Sequence, residues 1–142
     1  MEIREEFDGT YLIKLNIGDE IISSLEKFAD ENGIYGATFQ GIGAVNFAEI
    51  GFFDLENKEY ARTTIDGQRE VLSLKGNIGR DGDGEVMIHA HIILGDKSFA
   101  TQGGHLFKGK ISVTGEIRLL PSGDIKREHE QKTGLKLWKL SE

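Results

Sequence analysis

The 142-residue chain contains no cysteine. That excludes disulfides, thiolate zinc sites and cysteine nucleophiles together. Any metal it holds must sit on nitrogen and oxygen. No apolar run approaches the roughly 20 residues that cross a bilayer. The start, "MEIREEFDGT", lacks a basic n-region and an apolar h-region. A soluble, cytoplasmic protein that avoids membranes is the expectation. Positive charge is also scarce, with 17 Lys and Arg against 24 Asp and Glu and a net charge of −7. Such a balance opposes non-specific nucleic-acid binding, which needs cations to neutralise phosphates.

The charge is uneven. Residues 108–139 carry 8 basic and 4 acidic side chains, so this end is mildly basic. Lys126, Arg127, Lys132, Lys136 and Lys139 form the candidate basic patch. The plainer alternative is a solvated face whose Lys stems cover apolar surface.

Glycine, by contrast, is abundant, with 19 residues to a single proline. Short, irregular glycine spacing predicts many strands joined by tight turns. One helix is predicted over "EIISSLEKFADEN", with Asp19 as its cap and Glu20 in its first turn. Ile21, Ile22, Leu25, Phe28 and Ala29 follow one-sided helical spacing, and Gly33 stands at the C′ position. The remainder reads as strand. "GKISVTGEIRLL" alternates, with Ile111, Val113, Ile117 and Leu119 on one face. "PSGD" is a turn and "TGLKLWKL" a short closing strand. One main amphipathic helix against a central, mostly antiparallel sheet defines the α+β class. A single domain over residues 1–142 is expected, since this length buries enough surface to fold unaided.

The stretch "EVMIHAHIIL" carries the chemistry. On a strand, Ile88, Ala90, Ile92 and Leu94 face one way and form a core surface. Met87, His89, His91 and Ile93 face the other. Two residues at ~3.3 Å each place the two imidazoles about 6.6 Å apart at Cα, close enough to converge on one ion. His105 is the candidate third ligand; it follows Gly103 and Gly104, where the backbone can turn sharply, and opens a new strand. Three neutral imidazoles with an open position form a catalytic type of zinc site. A divalent metal is therefore expected, with zinc foremost and nickel, copper and iron left open. Glu70, Glu116 and Asp96 are candidate partners for the outer ring nitrogens. The alternative is three hydrogen-bonded histidines lining a groove.

Other motifs do not develop. "GIGAVN" lacks the third glycine and the following helix of a dinucleotide site, so its glycines are assigned to a bulge or a close backbone approach. No phosphate-binding loop or nucleophile elbow occurs. Phe52 and Phe53 are expected in the core, Ser73 in a strand, and His129 exposed.

The blocks "GIGAV", "AEIGFFDLENKEY", "EVLSLKGNI", "HAHIILGD", "GGHLFKG", "TGEIRLL" and the run ending "TGLKLW" occur in that order. In this the chain resembles the PPC domain, the plants-and-prokaryotes-conserved domain, in its stand-alone prokaryotic form. The resemblance implies a homotrimer of α+β subunits, with metal held in some members at the positions of His89, His91 and His105. It also implies a fold similar to that of acetolactate decarboxylase, a zinc lyase. A DNA-binding or regulatory role comes with the family. Its plant members use an Arg-Gly-Arg-Pro hook, which this chain lacks. A zinc-dependent lyase or hydrolase acting on a small oxygen-rich molecule is the competing expectation, with no catalytic residue assigned. The partners foreseen are further copies of the chain, DNA and a small-molecule ligand.

Overall fold

Helix formation begins one residue later than the sequence predicts. The computed structural model describes residues 1–140. Strands β1 (Glu2–Glu5) and β2 (Tyr11–Leu15) lead into helix α1 (Ile21–Glu31). Glu20, not Asp19, caps it, its carboxylate accepting from the backbone N–H groups of Ile22 at 3.1 Å and Ser23 at 2.7 Å. Asp19 is already engaged by the Asn16 N–H and the chain's terminal amine, each at 2.9 Å. Glu20 Oε1 also accepts from Gly109 N at 2.9 Å, which ties the helix start to the sheet. At the other end Gly33 takes φ +62. Its N–H reaches Asp30 O, and Ile34 N reaches Ala29 O, the paired bonds that close a helix through a left-handed glycine.

Six further strands complete the sheet: β3 (Ala37–Asp54), β4 (Glu59–Arg80), β5 (Val86–Gly95), β6 (Thr101–Pro121), β7 (Lys126–His129) and β8 (Lys136–Lys139). The order is β1-β2-β6-β3-β4-β7-β8, and β5 pairs with both β4 and β6. All pairings are antiparallel except a single parallel bridge between β4 and β7. Strands β3, β4, β5 and β6 therefore close a hydrogen-bonded circuit. Strand β3 runs 18 residues without interruption, because register shifts at Gly41–Gly43 and Val45–Phe47 let it bend without ending. A Cβ on Gly41 would stand 2.6 Å from Glu116 O, so the backbones approach as closely as its glycines suggest.

The core lies between α1 and the inward face of the sheet. Ile21, Leu25, Phe28 and Ala29 of the helix are buried against Ile13, Leu15, Phe39, Ile92, Ile111, Ile117 and Leu119 among others. Val113 departs from its expected place there and is 54 % exposed. Between the pairs Gly43–Gly115 and Val45–Ile111, two steps of β3 oppose four of β6. The surplus residues bulge, so alternation fails at Val113. Phe52 is likewise exposed rather than core, while Phe53 packs against Tyr60 with ring centroids 5.1 Å apart. Among the described residues no helix is long and apolar enough to cross a membrane.

Phe28 is fully buried and meets Tyr11 edge-on at 5.0 Å. Replacing it by alanine removes that contact and leaves a cavity under the sheet. Phe28→Ala should lower unfolding free energy by about 3–5 kcal/mol in denaturant titration. A loss below about 1 kcal/mol would mean that the helix does not anchor this core.

Candidate metal centre

Strand β5 puts its apolar residues, Ala90, Ile92 and Leu94, into the core. Its other face turns outward. Register then selects the neighbours on that face: His91 stands opposite Lys75 of β4 and His105 of β6, and His89 stands opposite Asn77. Directly opposed residues project to the same side of a sheet, so these five side chains share one surface. The Nε2 atoms of His89 and His91 are 3.3 Å apart. One ligand nitrogen from each of His89, His91 and His105 lies within 4.8 Å of the other two.

His105 reaches this position differently from the sequence expectation. The chain reverses at residues 96–100, and Gly103 and Gly104 lie inside β6, paired with Ile93 and Ile92. They allow close approach rather than a turn. A Cβ on Gly103 would be 2.5 Å from Ile92 O, and one on Gly104 2.7 Å from Gly51 O. Beyond them His105 packs between Tyr60 and Phe107, with ring centroids 4.8 and 4.6 Å away. Tyr60 Oη lies 3.4 Å from His105 Nδ1, leaving Nε2 as the ring's uncommitted nitrogen. The Arg62 guanidinium lies over the Phe107 ring, 3.7 Å from its centroid.

Two ligands on a tetrahedral ion with ~2.0–2.1 Å bonds are separated by about 3.3 Å. The His89–His91 spacing matches that edge, and the donor set is all imidazole, suited to zinc, nickel, copper or iron. The residues fit a divalent metal.

The three carboxylates considered as outer partners do not gather here. Asp96 caps the β5–β6 turn, its Oδ1 accepting from Ser98 N at 2.8 Å, Ser98 Oγ at 2.6 Å and Ala100 N at 3.2 Å. Glu70 and Glu116 line a separate groove with Ile42, Leu72 and Val113. Tyr60, Lys75 and Asn77 are the surrounding residues that sequence reasoning missed. The β4–β5 register places Lys75 and Asn77 beside the histidines, while Tyr60, opposite Phe53, reaches His105 because Gly51 of β3 stands between Arg62 and His105.

The basic residues also separate. Arg127 is buried, 4 % exposed, and donates to Asn77 Oδ1 and to Lys136 O at 3.1 Å. Trp138 Nε1 donates to the same Asn77 oxygen at 3.1 Å. Lys136 pairs with Asp81 at 2.7 Å and Lys139 with Glu128 at 2.9 Å. Lys126 and Lys132 are exposed, as is His129.

Burial holds His105 well below the ordinary imidazole range, at about 4, with His89, His91 and Arg62 adding repulsion. His89 is lowered for the same leading reason, with His91 and Arg127 contributing. Both rings are thus neutral at pH 7, with lone pairs available to an ion.

Among the described residues, a single helix on an eight-stranded sheet, with three imidazoles converging on the outward face, defines an α+β protein with a candidate metal centre. The chain belongs to the Plants and Prokaryotes Conserved (PCC) domain family, whose model matches residues 4–121. It is similar to the crystal structure of a plant- and prokaryote-conserved protein of Pyrococcus horikoshii, at 34% identity and a TM-score of 0.85, covering 94% of this chain and 92% of that one. A metal-containing protein of Archaeoglobus fulgidus is 33% identical, with a TM-score of 0.86 and coverage of 98% and 99%. A candidate DNA-binding protein of Bacteroides thetaiotaomicron is 28% identical, with a TM-score of 0.91 and coverage of 97% and 96%. Alpha-acetolactate decarboxylase of Bacillus subtilis strain 168 shares the fold at 12% identity, with a TM-score of 0.58 over 78% of this chain and 51% of that one. No curated protein matches the chain.

In the metal-free protein, the unfolded chain binds protons at His105 below about pH 6.5, while the folded chain does so only near pH 4. Stability should therefore fall as pH drops from 6.5 towards 4. Denaturant midpoints across that window test this. His105→Gln should flatten the slope, and an unchanged slope would remove His105 as its source.

Proposed function

We propose that this PCC-domain protein is a metal-binding protein, folded as one domain over residues 1–142, that holds a divalent ion, zinc foremost, on His89, His91 and His105. The 3.3 Å spacing of the His89 and His91 Nε2 atoms carries the reading. The 33%-identical relative named as metal-containing supports it. When bound, the ion would acidify a coordinated water or polarise a ligand oxygen. The protein's own residues do the rest. Ala90 and Ile92 anchor the strand beneath the imidazoles, burial keeps the rings neutral, and the Tyr60 hydroxyl orients His105. The site then serves a small oxygen-rich molecule, as a binding centre or as the Lewis acid of a lyase or hydrolase.

The chain assembles as a homotrimer in this reading. Support comes from the exposed apolar residues Ile3, Ile42 and Leu72, which edge a groove of about 760 Å³ on the outward face. Elemental analysis of purified protein beside His91→Ala tests the centre. The expected result is one divalent ion per chain in the parent and loss in the variant; equal content in both would remove the site. Light scattering on the same samples should give a mass of three chains, and a monomer would end the trimer reading.

DNA binding is the second reading, supported by the relatives described as candidate DNA-binding proteins. The surface argues for at most weak contact, since Lys136 and Lys139 are paired with acids and Arg127 is buried. A gel shift over a salt series decides it. Phosphate contacts require affinity to fall steeply between 50 and 200 mM salt; weak binding that ignores salt would exclude a DNA role.

A further inference from the structure

The outward face of β5 borders a cavity of about 530 Å³. Its walls include His89, His91, Lys75, Asn77, Ser73 and Ile93. Among the described residues no Asp or Glu lines it, although acidic residues outnumber basic ones in the chain. Lys75 stands directly across from His91, projects to the same side, and forms no ion pair among the described residues. It also borders the neighbouring groove, where Glu2 and Glu116 mix with Arg4, Lys14 and Arg118, and pairs with none of them.

From this arrangement we infer that the histidine cavity takes a small monocarboxylate, with Lys75 as the residue that recognises its charge. The inference rests on the three-histidine metal reading and names the ligand class of that site. The Asn77 oxygen is occupied by Arg127 and Trp138, so it orients the wall rather than the ligand. Ser73 adds a hydroxyl, and Ile93, 47 % exposed, supplies an apolar surface for a short carbon body. Phosphate dianions are normally held by several N–H donors, an Arg fork or a helix N-terminus. The residues lining this cavity include neither an arginine nor any residue of α1. One ammonium beside neutral imidazoles and an isoleucine suits a single negative charge on a small organic body. In a chain of net charge −7 that local cation matters, because the overall field repels anions.

Cobalt(II)-loaded protein reports ligands entering the coordination sphere through its visible spectrum. Titration with lactate at fixed ionic strength should shift the spectrum to saturation. Lys75→Met should weaken lactate at least about tenfold without loss of cobalt, and Lys75→Arg should retain most of the affinity. Uncharged lactamide should bind parent and Lys75→Met alike, and sulfate should compete poorly. Equal lactate affinity in Lys75→Met with full cobalt content would overturn the assignment and leave the metal centre standing. Sulfate binding as strongly as lactate would overturn the carboxylate class. Failure of the parent to take up cobalt would overturn the metal reading first, and this inference with it.

Discussion

Strand β5 is hydrogen-bonded to β4 from Val86 to Gly95 and to β6 from His91 to Gly95, and the candidate site depends on that double pairing at His91. A strand paired on one edge can slip, and a slip of one residue would send the imidazoles into the core and Ala90, Ile92 and Leu94 into water. Here slippage would have to break two ladders at once. From His91 to Gly95 the strand has no open edge, whereas Val86–Ala90, which carry His89, pair with β4 alone. Backbone hydrogen bonds and core packing thus hold the strand that carries His89 and His91.

That rigidity is costly in hydration. His89 and His105 are partly withdrawn from water, which penalises their charged forms. An aromatic wall of Tyr60 and Phe107 deepens the effect at His105. The same desolvation that disfavours protonation presents neutral lone pairs to a metal. Loss of stability at low pH and readiness to ligate are thus two consequences of one environment.

A second polar network braces the edge of this face. Asn77, opposite His89, receives both the buried Arg127 and the Trp138 indole. Strands β7 and β8 are thereby tied to the edge of the histidine surface. A buried guanidinium without a carboxylate is tolerated because amide and backbone oxygens accept its protons, although its Nε remains unpartnered. The apparent basic stretch at this end of the chain is in part internal scaffolding.

Local rules made much of this legible. Periodicity of 3.6 marked Ile21, Leu25, Phe28 and Ala29 as the buried stripe, and alternation sorted the two faces of residues 86–95, because both patterns depend only on near neighbours in the chain. The same logic failed at Val113, where a bulge breaks the period, and at Asp19, whose carboxylate was claimed by the chain's own amine. By itself the sequence determined the helix, the strands and the histidine-bearing face. Tertiary structure alone decided that His105 lies beside His91, that Tyr60, Lys75 and Asn77 surround them, and that Asp96, Glu70 and Glu116 do not. Those outcomes follow from inter-strand register, which is set by the packing of the whole sheet and leaves no trace in the spacing of residues along one strand.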